Sequence, residues 1–217
     1  MSDIFQEVDE EIRREKLKQL WERHSNLIVS IALLVVLAVA GWRGYEWWEL
    51  KNAAESGAQF EAAIQLAEAG KQAEAQAAFA KIAQEGSSGY RILARFREGA
   101  ELAKTDPAAA AKTYASLAAD SSLDRALRDL AGVREGMILV DSAPLAELTA
   151  KLEPLTTADR PFRHTARELL ALSAWRNGDA AAAKRWLDLI ATDAETPAGT
   201  RARMEVLMTL SSDKART

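Results

Sequence analysis

Cysteine is absent from all 217 residues, which excludes disulfide bonds, thiol nucleophiles and thiolate metal sites. Histidine is nearly absent too: His24 and His164 lie 140 positions apart, too far for a local metal-binding or catalytic motif. The G-x-S-x-G, H-E-x-x-H and phosphate-binding-loop motifs do not occur. The sequence therefore predicts a protein that is not an enzyme and that holds no metal and no cofactor.

Proline is scarce, and neither sign of charge dominates. Only five prolines interrupt a chain rich in Ala, Leu, Glu, Arg and Lys, a composition typical of helices. From residue 51 onward there are 22 basic and 23 acidic residues, so nothing favours nucleic acid as a partner. No motif for a small-molecule substrate occurs either. We predict an all-α protein whose part after residue 50 is long enough for a core of its own.

One long stretch has no charge at all, residues 25–42, with the sequence SNLIVSIALLVVLAVAGW. A helix of about 18 or more apolar residues crosses the bilayer core, which is about 30 Å thick. Tryptophans 21 residues apart flank this stretch, roughly 31 Å along a helix, so each is expected at one interface. We predict a transmembrane helix over residues 25–45, with these membrane-interface residues: Trp21, Trp42, Arg43, Tyr45, Trp47 and Trp48.

Lys and Arg near the ends of a span predict its orientation. Five precede this one: Arg13, Arg14, Lys16, Lys18 and Arg23. The twenty residues that begin at Arg43 contain only Arg43 and Lys51. This asymmetry predicts that residues 1–24 lie in the cytoplasm and that residues 46–217 form a domain on the other side.

A cleaved signal peptide is the alternative interpretation, because Ala38-Val39-Ala40 forms an A-x-A cleavage motif. Two features favour an uncleaved anchor instead. The region before the apolar run is 24 residues long with seven acidic residues, whereas signal peptides begin with a short basic segment. The aromatic cluster directly after the motif also fits a membrane interface better than a mature N-terminus.

Residues 1–24 have the pattern of an amphipathic helix. Its first apolar face consists of Ile4, Phe5, Val8 and Ile12, at three- and four-residue steps. We favour a helix that rests on the cytoplasmic surface of the membrane, as such faces commonly do. The alternative is that the same four residues form a docking face for a cytoplasmic protein.

Helix-breaking residues recur with a fixed period after the span. One series begins at residues 70, 105, 142 and 178, and a second at 86, 120, 156 and 192, with intervals of 34 to 37. Two interleaved series with one period indicate a helix–turn–helix unit of about 36 residues. We predict a tetratricopeptide-like α-solenoid of about four helix pairs, with helices at 50–69, 72–85, 90–104, 107–119, 123–140, 144–155, 162–177, 180–191 and 198–210.

The second helices of these pairs are rich in alanine, which lets neighbouring helices approach closely. Each has one large apolar residue that we expect in the core: Phe79, Tyr114, Leu148 and Trp186. In the first helices, Gly99 and Gly136 occupy the matching small position, and the last pair has only Ala171 or Ser173 there.

The whole chain resembles the YfgM-like ancillary subunits of the Sec translocon in Gram-negative bacteria. The resemblance rests on this layout, on the opening SDIFQEVDEEIRREKL and on four short motifs: Gly41-Trp42-Arg43, Gly89-Tyr90, Arg176-Asn177-Gly178-Asp179 and Thr196-Pro197-Ala198. It implies a single-pass inner-membrane protein with a periplasmic domain. Its implied partners are the translocon, periplasmic chaperones and exported polypeptides. None of the motifs is catalytic.

A repeated arginine pattern is the best candidate for a binding site. Tyr90-Arg91-x-x-Ala94-Arg95 recurs 72 residues later as Phe162-Arg163-x-x-Ala166-Arg167. Arginines four residues apart share one helix face, and first helices line the groove of such solenoids, so they would form a cationic track for polypeptide. The candidate groove residues are Arg91, Arg95, Arg125, Arg128, Arg163 and Arg167. The alternative, which we favour, is local pairing with Glu98, Asp124, Asp129 or Glu168.

The residues predict a non-enzymatic protein-interaction module, and the resemblance implies that it associates with the Sec translocon and periplasmic chaperones during protein export and envelope biogenesis. Two alternatives remain: a structural scaffold of another envelope complex, and an accessory or regulatory protein that acts through the cytoplasmic helix.

Overall fold

A computed structural model describes the backbone of residues 2–214 and the side chains of residues 13–15, 18–19 and 21–209. It divides into two compact units, residues 1–54 and 55–217. The described backbone is all-α and contains no strand. Its elements are α1 (Ser2–Glu68), α2 (Gln72–Glu85), α3 (Ser88–Thr105), α4 (Pro107–Ala118), α5 (Arg125–Leu139), α6 (Leu145–Leu152), a 3-10 turn (Glu153–Leu155), α7 (Arg163–Arg176), α8 (Ala180–Thr192) and α9 (Ala198–Lys214).

The first unit consists of most of α1, which has no break across the predicted span. Among the described residues this is the one helix long and apolar enough to cross a membrane. No residue of its apolar window is buried within the protein, and the side chains of Leu33, Leu34 and Val36 are about 60% exposed. The core helix of a soluble protein would bury such side chains, because apolar surface is unfavourable in water.

The second unit begins within α1 and contains the remaining helices, at the positions that the sequence predicts. Their bounds differ by at most four residues, the most at the end of α9, which continues to Lys214 rather than to residue 210, and the differences at α5 and α6 have a local cause. The predicted helix 123–140 begins at Arg125, because the Asp124 carboxylate caps it and accepts a hydrogen bond from the backbone N–H of Leu127 at 2.9 Å. The predicted helix 144–155 becomes α-helical only to Leu152 and ends as a 3-10 turn, because Pro154 has no N–H to donate.

The turns between helices use the expected chemistry. Gly70 and Gly178 have φ angles of 75° and 76°, a left-handed conformation that favours glycine after a helix. Asp106 and Asp179 precede α4 and α8, and each accepts a hydrogen bond from the backbone N–H three residues later, at 3.0 and 2.9 Å. These residues explain why the breaks recur with the period of the helix pair.

Consecutive helices pack on one another, and three apolar clusters form the core of the second unit. The first joins the end of α1 to α2 and α3 through Phe60, Phe79 and Ala94. The second joins α3, α4 and α5 around Tyr114, and the third extends from α5 to α9 around Trp186. The four large residues predicted for the core are confirmed there: Phe79, Tyr114, Leu148 and Trp186 are all buried.

Close approach of α3 and α4 depends on Gly99. A Cβ atom added there would lie 2.9 to 3.2 Å from three ring atoms of Tyr114, and the Tyr114 hydroxyl donates to the Phe96 carbonyl at 3.1 Å. We expect Gly99→Ala to destabilise the protein by about 1 kcal/mol, since overpacking outweighs the gain in helix propensity. Gly89→Ala on the same helix meets nothing within 4 Å and is the control, expected to lose no stability. Thermal unfolding checks both, and a Gly99→Ala protein as stable as the control would contradict the packing argument.

Candidate functional site

The repeated arginine pattern places its two alanines in the core and its last arginines in ion pairs. Ala94 and Ala166 are completely buried. Arg95 and Arg167 follow them directly, so the two arginines have the same direction relative to the core. Arg95 pairs with Asp120 at 2.7 Å, and Arg167 pairs with Asp193 at 2.7 Å. In both cases a first helix is joined to the segment after the second helix of its pair. The repeat therefore has a structural role in each of these two helix pairs.

The second copy of the pattern is a buried network. The Arg163 Nε atom donates to Asp193 at 2.9 Å, and its Nη2 atom donates to Glu195 at 2.5 Å. Arg167 also donates twice to the Thr156 carbonyl, at 2.8 and 3.1 Å, which ties α7 to the preceding helix pair. Arg163 and Arg167 are only 9% and 7% exposed. The two guanidinium groups hold the pKa of Asp193 far below its ordinary range.

The remaining groove candidates are more accessible. Arg125 and Asp159 pair at 2.9 Å and are both more than half exposed. Arg91 is exposed, Arg128 is half-buried, and neither makes an ion pair within the described part of the chain. Arg163 and Arg167 are turned inward and almost completely buried, whereas the other four candidates lie on α3 and α5.

Four of the six arginines form ion pairs, but each with an acidic residue other than the four expected from the sequence. Glu168 does accept two hydrogen bonds, but from Arg203, at 2.6 and 2.9 Å. Asp129 pairs with Arg160, and Asp124 caps α5. Glu98 makes no ion pair with a described side chain, and burial raises the pKa of its carboxyl group. Ligand binding by the arginine track stays a prediction.

A charged cleft of about 460 Å³ lies between α4, α5 and the 3-10 turn. Two carboxylates are buried in its wall: Asp129 accepts from Arg160 at 2.8 and 3.1 Å, and Glu135 accepts from Lys151 at 2.7 Å. The complete lining is Ala115, Ala118, Ala119, Arg125, Arg128, Asp129, Gly132, Glu135, Lys151, Leu155 and Arg160. Sequence patterns missed Lys151 and Arg160, because their partners lie 16 and 31 residues away and no helical spacing connects them.

The candidate membrane-interface residues are exposed, as an interface requires. Trp21, Trp42, Tyr45, Trp47 and Trp48 all have more than half of their surface free. The Arg43 guanidinium pairs with Glu46 at 3.0 Å, and the Lys51 ammonium lies 5.6 Å from the ring centroid of Trp47. Such amphipathic side chains keep a polar end in water beside an apolar body, which suits the headgroup region.

The candidate cytoplasmic docking face is the one predicted surface without structural detail. The backbone of residues 2–12 is helical, but the side chains of Ile4, Phe5, Val8 and Ile12 lie outside the described ones. Docking by this face stays a prediction.

The imidazole of His164 lies beside the buried network. Its Nδ1 atom lies 3.3 Å from the Thr196 hydroxyl and 3.9 Å from Asp193. Burial, together with Arg163, lowers the pKa of His164, which favours the neutral form of the ring. Within the described residues no group of three or more His, Asp or Glu side chains is placed to hold a metal ion. The arrangement joins α7 to the segment that follows α8.

Acid should weaken the ion pair of Asp120. Hydrogen bonds from Arg95 and Ser122 lower the pKa of Asp120 from its ordinary 3.8 to about 2 in the folded protein. A carboxyl group with a lowered pKa stabilises the folded state above its unfolded pKa, and this contribution disappears as the pH falls toward the folded pKa.

We therefore expect the difference in unfolding midpoint between the wild type and Asp120→Asn to be constant from pH 7 to about pH 5 and to shrink between about pH 5 and pH 2. Urea unfolding across this range measures it. A difference that stays constant down to pH 2.5 would show that the Arg95–Asp120 pair does not act as described.

The comparison with known proteins agrees with this architecture. Residues 18–184, more than three quarters of the chain, match the sequence model of one family, described as a tetratricopeptide repeat-like domain. No curated protein and no solved structure matches the chain. The chain belongs to the family of tetratricopeptide repeat-like domains.

Proposed function

We propose that this protein is a single-pass inner-membrane protein whose periplasmic helical-repeat domain binds other proteins beside the Sec translocon. One observation carries the proposal: the same chain contains a tetratricopeptide repeat-like domain and an apolar helix without a single buried residue in its window. Domains of this family generally act as non-enzymatic protein-interaction modules. The membrane helix then restricts that interaction to one surface of the cell.

Anchoring also sets the affinity that the domain needs. A domain held at the membrane meets other membrane components at a high effective concentration, so weak contacts suffice. The resemblance to YfgM-like subunits supports the translocon, periplasmic chaperones and exported polypeptides as the partners. The excess of Lys and Arg before the span supports an N-terminus in the cytoplasm and a domain in the periplasm.

Exposed side chains of the second unit offer contact points for a partner. Leu93, which directly precedes the buried Ala94, is half exposed on α3, and Arg91 is exposed on the same helix. Arg125 is accessible on α5. Exposed apolar and cationic groups on one domain suit a polypeptide, which has both apolar side chains and carbonyl or carboxylate oxygens.

Photo-crosslinking in native membranes tests the proposal. A photoreactive residue replaces Arg91, Arg125 or Phe5, and Lys81 on the exposed face of α2 is the control position. We expect adducts with translocon subunits, chaperones or exported chains from Arg91 and Arg125 but not from Lys81. Adducts only from Phe5 would contradict the proposal and favour action through the cytoplasmic helix. Adducts only with a stable envelope complex, and none with export components, would favour the scaffold.

A further inference from the structure

The three central first helices share one register, which the buried small residues define. Ala94 and Gly99 on α3, Ala131 and Gly136 on α5, and Ala166 and Ala171 on α7 are all buried, and each pair is five residues apart. At Gly99 and Gly136 an added Cβ would meet a large residue of the following helix. These positions are therefore structurally equivalent, and they align every other position of the three helices.

At one position of this register the residue of α5 differs from those of α3 and α7. The equivalent of Arg95 and Arg167 on α5 is Gly132, which has no side chain. The cleft lies at this glycine, on the side where the other two helices direct an ion-paired arginine. A Cβ atom added at Gly132 would lie 3.1 Å from Leu155 Cδ1, so the absence of a side chain lets Leu155 approach α5, and the cleft opens beside this contact.

At the position of Arg128, α5 keeps the arginine of the repeat but lacks its acidic partners. It is equivalent to Arg163, whose guanidinium is held by Asp193 and Glu195. The residues 35 positions before those two acids are Ala158 and Arg160, so the α5–α6 pair provides no carboxylate at that place. The Arg128 Nε atom is buried in the cleft wall and has no hydrogen-bond acceptor among the described residues. A buried guanidinium nitrogen without an acceptor is unfavourable, and an incoming carboxylate would satisfy it.

The charges in and beside the cleft leave Arg128 as the cation in excess. Four cations line the cleft: Arg125, Arg128, Lys151 and Arg160. The two carboxylates of the lining, Asp129 and Glu135, are engaged by Arg160 and Lys151, and Asp159 beside the cleft is engaged by Arg125. The lining therefore carries an excess of positive charge, and Arg128 is its half-buried cation without an ion pair to a described side chain, where a charge-assisted hydrogen bond is strong.

We propose that this cleft binds a carboxylate of a protein partner, and that Arg128 is the group that binds it. The ligand oxygen takes the place that Asp193 has beside Arg163 in the next pair. Alanines of α4 and Leu155 give the cleft an apolar floor, which suits the chain that carries the carboxylate. An acidic side chain and a free C-terminus present the same chemistry. This inference rests on the proposed function, because it names the ligand of a protein-binding domain.

Three labelled decapeptides test the site, used with the full chain in detergent. One carries two glutamates and an amidated C-terminus, one carries only a free C-terminal carboxylate, and one carries neither. We expect at least one of the first two to bind in low salt, more weakly at high salt, and the neutral peptide not to bind. If neither carboxylate peptide binds, or if sodium acetate at the same concentration displaces the bound one, the assignment to a protein carboxylate is overturned.

Two arginines of α5 provide the matched pair of variants. Arg128→Gln should weaken binding of the carboxylate peptide at least about ten-fold, as expected for a hydrogen bond to a charged group. Arg134→Gln removes the same charge from an exposed position of α5 outside the cleft lining, so it should change binding by less than about two-fold. Equal losses in both variants would mean that the peptide responds only to the overall charge, and no loss in Arg128→Gln would also overturn the proposal.

A second variant tests the cleft without removing Arg128. Ala119 is exposed and lines the cleft, so Ala119→Trp should block the peptide, whereas Ser116→Trp, exposed on α4 but outside the lining, should not. Undiminished binding to Ala119→Trp places the carboxylate elsewhere and overturns the inference. If the peptide results fail while the photoreactive residue at position 91 still gives adducts with export components, the proposed function stands and only this inference falls.

Discussion

Asp193→Ala is expected to lower the free energy of unfolding by about 3 kcal/mol, because it leaves two buried guanidinium groups without their shared carboxylate. Asp193 accepts from Arg163 at 2.9 Å and from Arg167 at 2.7 Å, and both arginines are almost completely buried. Removal of one partner from a buried pair costs more than the pair itself contributes, since the remaining charge stays out of water. Chemical unfolding of the full chain in detergent measures the loss.

Asp188→Ala, five residues earlier on α8, is the matched control. Asp188 pairs with Lys184 at 2.7 Å, but both side chains are more than half exposed. An exposed pair contributes only about 0 to 1 kcal/mol, so this variant should unfold almost as the wild type does. If the two aspartate variants were equally stable, Asp193 would not hold Arg163 and Arg167 inside the protein, and both arginines would again be candidates for the groove.

Two arginines in the middle of the apolar helix are expected to prevent membrane insertion. Leu34→Arg together with Leu37→Arg makes insertion less favourable by about 6 kcal/mol, because each change replaces an apolar side chain by a charge near the bilayer centre. Both leucines are more than half exposed, so no packing within the protein is lost. We expect the double variant to leave the membrane fraction or to be degraded, whereas the wild type stays in that fraction.

Leu50→Arg is the control for this prediction. Leu50 is also exposed, but it lies outside residues 25–45, where a cation can reach the headgroups or water. Its membrane fraction should match that of the wild type. If the double variant remained fully in the membrane fraction, the apolar stretch would not be what holds the protein there.

The helices of the second unit could be predicted from the sequence because local chemistry defines both of their ends. Glycine with a positive φ at positions 70 and 178 and capping aspartates at 106 and 179 act within a few residues. The same applies to the end of α6, where Pro154 shortens the α-helix by local chemistry alone. Burial of the large residue in each second helix followed from helical period and size.

The ion pairs between different elements could not be predicted, because they connect residues 16 to 35 positions apart. Arg91 and Arg163 occupy the same place in a repeated sequence, yet Arg91 is exposed and Arg163 is buried. The difference comes from Asp193 and Glu195, because the α3–α4 pair has no acidic residues at the equivalent positions. A repeated motif therefore indicated where arginines lie on their helices but not which of them remain available to a ligand.

Protease protection of the full chain in native membrane vesicles tests the central claim most directly. Inside-out vesicles expose the cytoplasmic side, and a tag before Ser2 and another after Thr217 report the two ends. We predict that alkaline carbonate leaves the uncleaved chain in the membrane, that added protease removes the N-terminal tag, and that the C-terminal tag survives until detergent is added. A protein cut after Ala40 and released as a soluble domain, or a C-terminal tag digested in intact vesicles, would contradict the account of a single uncleaved anchor with its binding domain in the periplasm.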